Sequence, residues 1–442
     1  MNPTAKKRPS LLPWLVGVAL LGGVAPAAAQ RGARACLAPG GGDDTASLQA
    51  ALDRCSGARQ PCTVTLCAGT FDTGILRVRD FRGTLRGAGP ERTTLRARPD
   101  LPVSENLRDF FRDDPFEPTR AWPYLVQFVE GRALVADLGV LVPAPPAGSQ
   151  PTTGWYLLDD GPIFELRGGL LFTGRGPVDF EVRDVRVAAE DPGTDLGTTA
   201  FSGVEFGGLL HDPGDAGDFP VFPARGRFHV ADCVFDGVLT GTPLAELAAA
   251  QVLVARNRYR ATIAVEVIDA DRSRITVLGN RWRASYRGVQ VRQNLDGSPS
   301  RASEIRVSAN RGAIAPLFAG LGDGLSYEDP AGPTLDPGAT ALSVTRNRFE
   351  LGGGVEPVAS GIAANGAGRL RLGENRLAGR AGAGLEVDAT SGCRVWGNAT
   401  AELDTGNGPD LHLGSATSDC LAIVGPGDVV VDEGSANRVV RW

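Results

Sequence analysis

Two glutamates, Glu205 and Glu266, sit in short runs of one pattern, Gly203-Val-Glu205-Phe and Ala264-Val-Glu266-Val. A pair of carboxylates on one surface suits proton transfer, one group giving a proton and the other taking one. Arg292, in Gly288-Val-Gln290-Val-Arg292, joins them as a catalytic candidate: it would serve as a base only if strongly desolvated, and its high pKa favours holding a substrate carboxylate. Gln290 on the same run and Tyr286 at its entrance offer a hydrogen bond and a stacking surface. Glu386, Asp388 and His412 recur in Gly384-Leu-Glu386-Val-Asp388 and Asp410-Leu-His412-Leu, and form a rival polar cluster.

All of these runs alternate, as does Gly361-Ile-Ala363-Ala-Asn365. A period of two sends Val, Ile and Leu to one side of a strand and the polar residues to the other. With strands stacked about 4.8 Å apart, Glu205, Glu266, Gln290, Ala363, Glu386 and His412 form one outward column. Arg292, Asn365 and Asp388 form the next. A slip of one residue would turn these side chains inward, where an unpaired charge is costly. In the correct phase the face is expected to be solvated.

What must position these runs is a repeat. Val-Ala-Arg-Asn257-Arg-Tyr, Val-Leu-Gly-Asn280-Arg-Trp, Val-Ser-Ala-Asn310-Arg-Gly, Val-Thr-Arg-Asn347-Arg-Phe, Leu-Gly-Glu-Asn375-Arg-Leu and Val-Trp-Gly-Asn398-Ala-Thr follow one another along the second half. A unit recurring every few tens of residues marks a solenoid, whose turns bury their apolar faces only by stacking. Here the unit is β-branched and alternating, with Gly and Asn at corners, which predicts a parallel β-solenoid. The tag Asn suits a tight corner after the second strand of each coil. It tolerates left-handed backbone angles and can bond the Asn of the next coil. The aromatic two residues later is expected to point inward.

Residues 1–29 read as a secretory signal, with Lys6, Lys7 and Arg8 ahead of an apolar stretch and a cleavage site near Ala29/Gln30. No other segment is suited to crossing a membrane, so a secreted or periplasmic location is expected. Removing those three cations takes the formal charge from −6 to −9. An acidic chain without a basic block argues against nucleic acid as a partner. The seven cysteines fit an oxidising compartment. Cys36, Cys55, Cys62 and Cys67 allow three pairings, Cys393 and Cys420 lie about one coil apart, and Cys233 is left over.

Near the N-terminus Gly42-Asp-Asp-Thr45 offers capping side chains ahead of a helix at 46–54. The run Gly42-Asp-Asp-Thr-Ala46-x-Leu48-Gln-Ala-Ala-Leu52, then Ala68-Gly-Thr-Phe71 and Leu85-Arg-Gly-Ala-Gly-Pro90-x-x-Thr93, resembles the opening of the pectin-lyase-like superfamily. The resemblance implies an all-β chain, a right-handed parallel β-helix over 68–442, with a cap segment at 30–67 that carries the helix. Stretches 99–123 (with Trp122), 143–162 (with Trp155 and Tyr156) and 313–338 read as loop insertions. In enzymes of the superfamily the substrate groove runs along the outward face described above. That implies a polysaccharide as partner, and a lyase or glycoside hydrolase reaction. Carboxylates two rungs apart lie ~10 Å from each other, near the upper end of an inverting pair. A carboxylate beside an arginine can instead bind Ca2+ and abstract a sugar C5 proton, as in resembling lyases. The polygalacturonase set and the pectate lyase Arg-x-Pro-x-x-Arg are both absent, which keeps open a non-catalytic glycan- or surface-binding protein.

Overall fold

The computed structural model describes residues 36–101, 124–143, 168–174, 176–190, 202–207, 223–293, 303–316, 322–329, 340–353 and 357–442. Leu166 and the short strands Val103–Ser104, Gln150–Pro151 and Ile163–Phe164 are also placed. Residues 1–29, read as a signal, and Trp122, Trp155 and Tyr156 lie outside the described residues. Among those described, no helix is long and apolar enough to cross a membrane.

Three parallel sheets share each turn of a right-handed parallel β-helix. Residues 263–268 lie on the first sheet, Arg274–Leu278 on the second, and the strand Arg281–Arg292 crosses the third before bending into the first again. Each rung pairs in register with its neighbours, for example Val265 with Val289 and Ile275 with Ile305. Inward Val, Leu, Ile and Phe form one continuous buried core from Leu48 to Val424. No rung could bury that surface alone, so stacking carries the stability.

The helix Thr45–Asp53 closes the first turn, burying Leu48, Ala51 and Leu52. Its Gln49 amide donates to Arg77 O (2.7 Å) while Arg77 N donates back to Gln49 Oε1 (3.1 Å). One side chain thereby occupies backbone groups that an open strand edge would leave unpaired. The capping differs from the expected arrangement. Asp44 accepts from Gly40 N (2.7 Å), and Asp43 takes the Thr45 amide instead (2.9 Å).

The Asn file is internal. Asn257, Asn280, Asn310, Asn347 and Asn375 are buried, and each Nδ2 donates to the Oδ1 of the next Asn. Each also donates to a carbonyl of the preceding coil, as Asn310 does to Val277 O (3.0 Å). The expected left-handed angle falls one residue earlier than the Asn: Arg256, Gly279, Ala309, Arg346, Glu374 and Gly397 take positive φ. The corner turns before the Asn because its amide must face into the coil, where the file runs. Cys233 occupies the same position and starts the file, its N–H donating to Asn257 Oδ1 (2.9 Å).

Tag aromatics fill the core opposite glycines of the first sheet. Phe235 stacks on Tyr259 (4.8 Å), while Trp282 reaches Phe349 (5.6 Å) across Gly312, where a side chain would overlap the indole. Disulfides join Cys36 to Cys67, Cys55 to Cys62 and Cys393 to Cys420, leaving Cys233 free and buried. One expectation fails at 313–338. Asp323–Glu328 is a first-sheet strand, with Leu325 inward and Ser326 outward, in register with Gln290 and Ala363. The carboxylates at its two ends disguised its alternation.

Candidate functional site

The outward column of the first sheet runs Gln127, Leu171, Glu205, Pro243, Glu266, Gln290, Ser326, Ala363, Glu386, His412. Val204 and Phe206 on either side of Glu205, and Val265 and Val267 around Glu266, face the core. Pro243 and Ser326 complete the column that alternation alone had outlined. Glu205 and Glu266 are therefore two rungs apart, with Pro243 between them, ~10 Å along the stack. The next column reads Ile268, Arg292, Glu328, Asn365, Asp388.

Solvation differs from the expectation. Glu205 is 0% exposed, Glu266 3% and Gln290 5%, although all leave the coil on its outer side. An outward phase does not guarantee contact with water, and the open groove expected around Glu205 and Glu266 is corrected to a covered pair. Ala363, Glu386, Asp388 and His412 are half-buried, so this face opens toward the C-terminal turns.

Burial governs the chemistry of Glu205. Desolvation, reinforced by the nearby Glu266 charge, pushes its carboxyl up to about 8. Tyr124, also buried, donates its hydroxyl to Glu205 Oε2, while Glu205 Oε1 has no hydrogen-bond partner among the described residues. Thr240 Oγ1 lies 3.5 Å from Glu266 Oε2. An acid protonated at neutral pH, set beside a second carboxylate, is an arrangement that assigns proton donor and acceptor.

Tyr124 and Thr240 belong to a further column, three residues before the first: Tyr124, Ser202, Thr240, Ile263, Arg287, Asp323, Ser360. Sequence reasoning missed it because a bend places two consecutive inward residues there, such as Ala264-Val265. The Gly-Val, Gly-Leu and Gly-Ile pairs before each outward polar residue were the available signal. In this column Arg287 bridges the buried Asp323 (3.1 Å) and reaches Glu328 (3.3 Å), and its guanidinium lies 4.5 Å from the Tyr286 ring centroid. Desolvation outweighs Arg287 and raises Asp323 to about 6. Tyr286 is thus engaged by Arg287 beside Gln290.

The second cluster is partly structural. Asp388 Oδ1 accepts from Ala389 N (2.9 Å) and Ala416 N (3.3 Å), and Ser360 donates to Glu386 (2.7 Å). His412 Nε2 lies 3.6 Å from Glu433. Among the described residues no three His, Cys, Asp or Glu side chains are grouped to hold a metal ion, and no step is assigned to one.

Three strands per turn, parallel register and an internal Asn file make this chain a parallel β-helix protein. No family model and no curated protein matches the chain. Among solved structures it is similar to the A-module of a mannuronan C-5 epimerase from Azotobacter vinelandii (TM-score 0.49, 12% identity, 91% of this chain and 96% of that one). It is similar also to a surface protein and adhesin of Streptococcus pneumoniae (0.49, 11%, 92% and 100%) and a DFA-IIIase from Arthrobacter chlorophenolicus (0.42, 12%, 89% and 93%). Likeness at this level assigns no activity to this chain.

Proposed function

We propose that this is a secreted β-helix enzyme acting on a polysaccharide, with Glu205 as general acid and Glu266 as general base. The observation that carries the reading is Glu205: fully buried, held by Tyr124, paired with no cation among the described residues and protonated near neutrality. A neutral carboxylic acid with one unpartnered oxygen is destabilising for folding, and such groups are retained where chemistry uses them. In a hydrolase Glu205 would protonate the glycosidic oxygen while Glu266 deprotonates the attacking water. In a lyase Glu266 would take the C5 proton, the C4–O bond would break with formation of a C4–C5 double bond, and Glu205 would protonate the departing oxygen. Arg292 and Gln290, on the rung after Glu266, would hold the sugar carboxylate and a hydroxyl. The half-buried run from Ala363 to His412 offers the approach for the rest of the chain.

The covering of Glu205 and Glu266 favours a second reading, a non-catalytic protein that binds glycan along the open half of the face. Incubation with a panel of acidic and neutral polysaccharides separates the two. Absorbance of 4,5-unsaturated products reports a lyase and new reducing ends report a hydrolase. Binding without either product selects the second reading.

A further inference from the structure

The repeated tag leaves one residue without a task. Its Asn builds the buried file and its aromatic fills the core, whereas the arginine between them is exposed. Arg258, Arg281, Arg311, Arg348 and Arg376 are register partners on five consecutive rungs of the third sheet. With rungs about 4.8 Å apart, they make a single file of guanidinium groups roughly 19 Å long. Arg283, two residues after Arg281, lies exposed beside it.

Like charges directly opposite one another destabilise a sheet. Several arginines elsewhere on the surface resolve this by pairing: Arg256 with Asp232 (2.5 Å), Arg260 with Asp236 (2.5 Å), Arg274 with Glu304 (3.1 Å). Within the file only Arg348, 3.8 Å from Glu350, and Arg376, with Glu402, have a carboxylate. Arg258, Arg281, Arg283 and Arg311 pair with no acidic side chain among the described residues. A chain of formal charge −6 thus carries a line of positive charge that acidic side chains offset at only two of its five rungs among the described residues, along the solenoid axis and on a different sheet from Glu205 and Glu266.

We propose that this arginine file binds a linear carboxylate-bearing polysaccharide laid along the axis. Each guanidinium takes a carboxylate through two parallel hydrogen bonds. One cation per rung suits a polymer with one anion per sugar. Duplex nucleic acid, with a charge every ~1.7 Å of its axis, calls for a broad basic face rather than a single line. The site is independent of the acid pair, since it concerns binding and not turnover.

The test is calorimetric titration of the full chain with polygalacturonate, dextran and duplex DNA at low and high salt. A triple variant, Arg258→Gln with Arg281→Gln and Arg311→Gln, is compared with Arg369→Gln, Arg371→Gln and Arg394→Gln. The latter set removes the same charge from exposed positions on the second sheet. Polygalacturonate should bind, more weakly at high salt. The file variant should lose at least tenfold in affinity and the comparison variant less than twofold. Dextran should not bind, and DNA should bind more weakly than the polyuronate. Single Arg281→Gln, which changes one exposed side chain, should lose about threefold and guards against misfolding of the triple variant. No polygalacturonate binding, equal loss in both triple variants, unchanged affinity in the file variants, or preference for DNA would overturn the proposal.

Discussion

Tyr124 donates its hydroxyl to Glu205 across 81 residues of sequence, its ring passing over Gly168 on the intervening rung. A residue on one coil thus fixes the carboxyl two coils later, and the glycine between them leaves room for the ring. Tyr124→Phe should leave the fold intact and reduce turnover at least tenfold, as kcat on any polymer the wild type cleaves.

Glu205 makes stability depend on pH with a definite sign. Its folded carboxyl titrates at about 8, above its usual value of 4.5, so between these pH values the unfolded chain ionises while the folded one keeps its proton. Stability should fall as pH rises from 4.5 to 8 and change little beyond. Glu205→Gln should remove this contribution to the slope, gaining on wild type by on the order of 4 kcal/mol between pH 4.5 and pH 8. Urea melts across that range measure it.

The Asn file should act as a structural spine. Asn310→Ala removes donors to Val277 O and Asn347 Oδ1 and an acceptor for Asn280 N, all buried. A loss of about 2–4 kcal/mol is expected in chemical denaturation.

Much of this was legible in the sequence because apolar alternation and the Asn tag both report a rung. The phase of Glu205, Glu266, Gln290 and Glu386 followed from flanking valines and leucines that had to face inward. Burial of Glu205 was not legible, since a period of two fixes direction and not what lies beyond the side chain. Tyr124 was hidden for another reason. It follows a stretch without alternation, and its partner is distant in sequence. The strand Asp323–Glu328 was read as loop because acidic ends outweighed a short Leu-Ser-Tyr alternation.

Cys233 should be silent in the folded protein. Burial pushes its thiol up to about 12, and it is 1% exposed. A thiol-specific reagent should label no group in the native oxidised chain and one after unfolding. Replacing Cys393 and Cys420 by serine removes a link between adjacent coils and should cost about 3 kcal/mol. Early proteolysis of the last turns would report it.

The most direct test is the turnover number of Glu266→Gln on a polysaccharide cleaved by the wild type, with folding checked by far-UV circular dichroism. Glutamine keeps the shape and removes the base. A fall of at least a hundredfold with an unchanged fold is predicted. Undiminished turnover, or no cleavage of any polymer by the wild type, would contradict the assignment of Glu205 and Glu266.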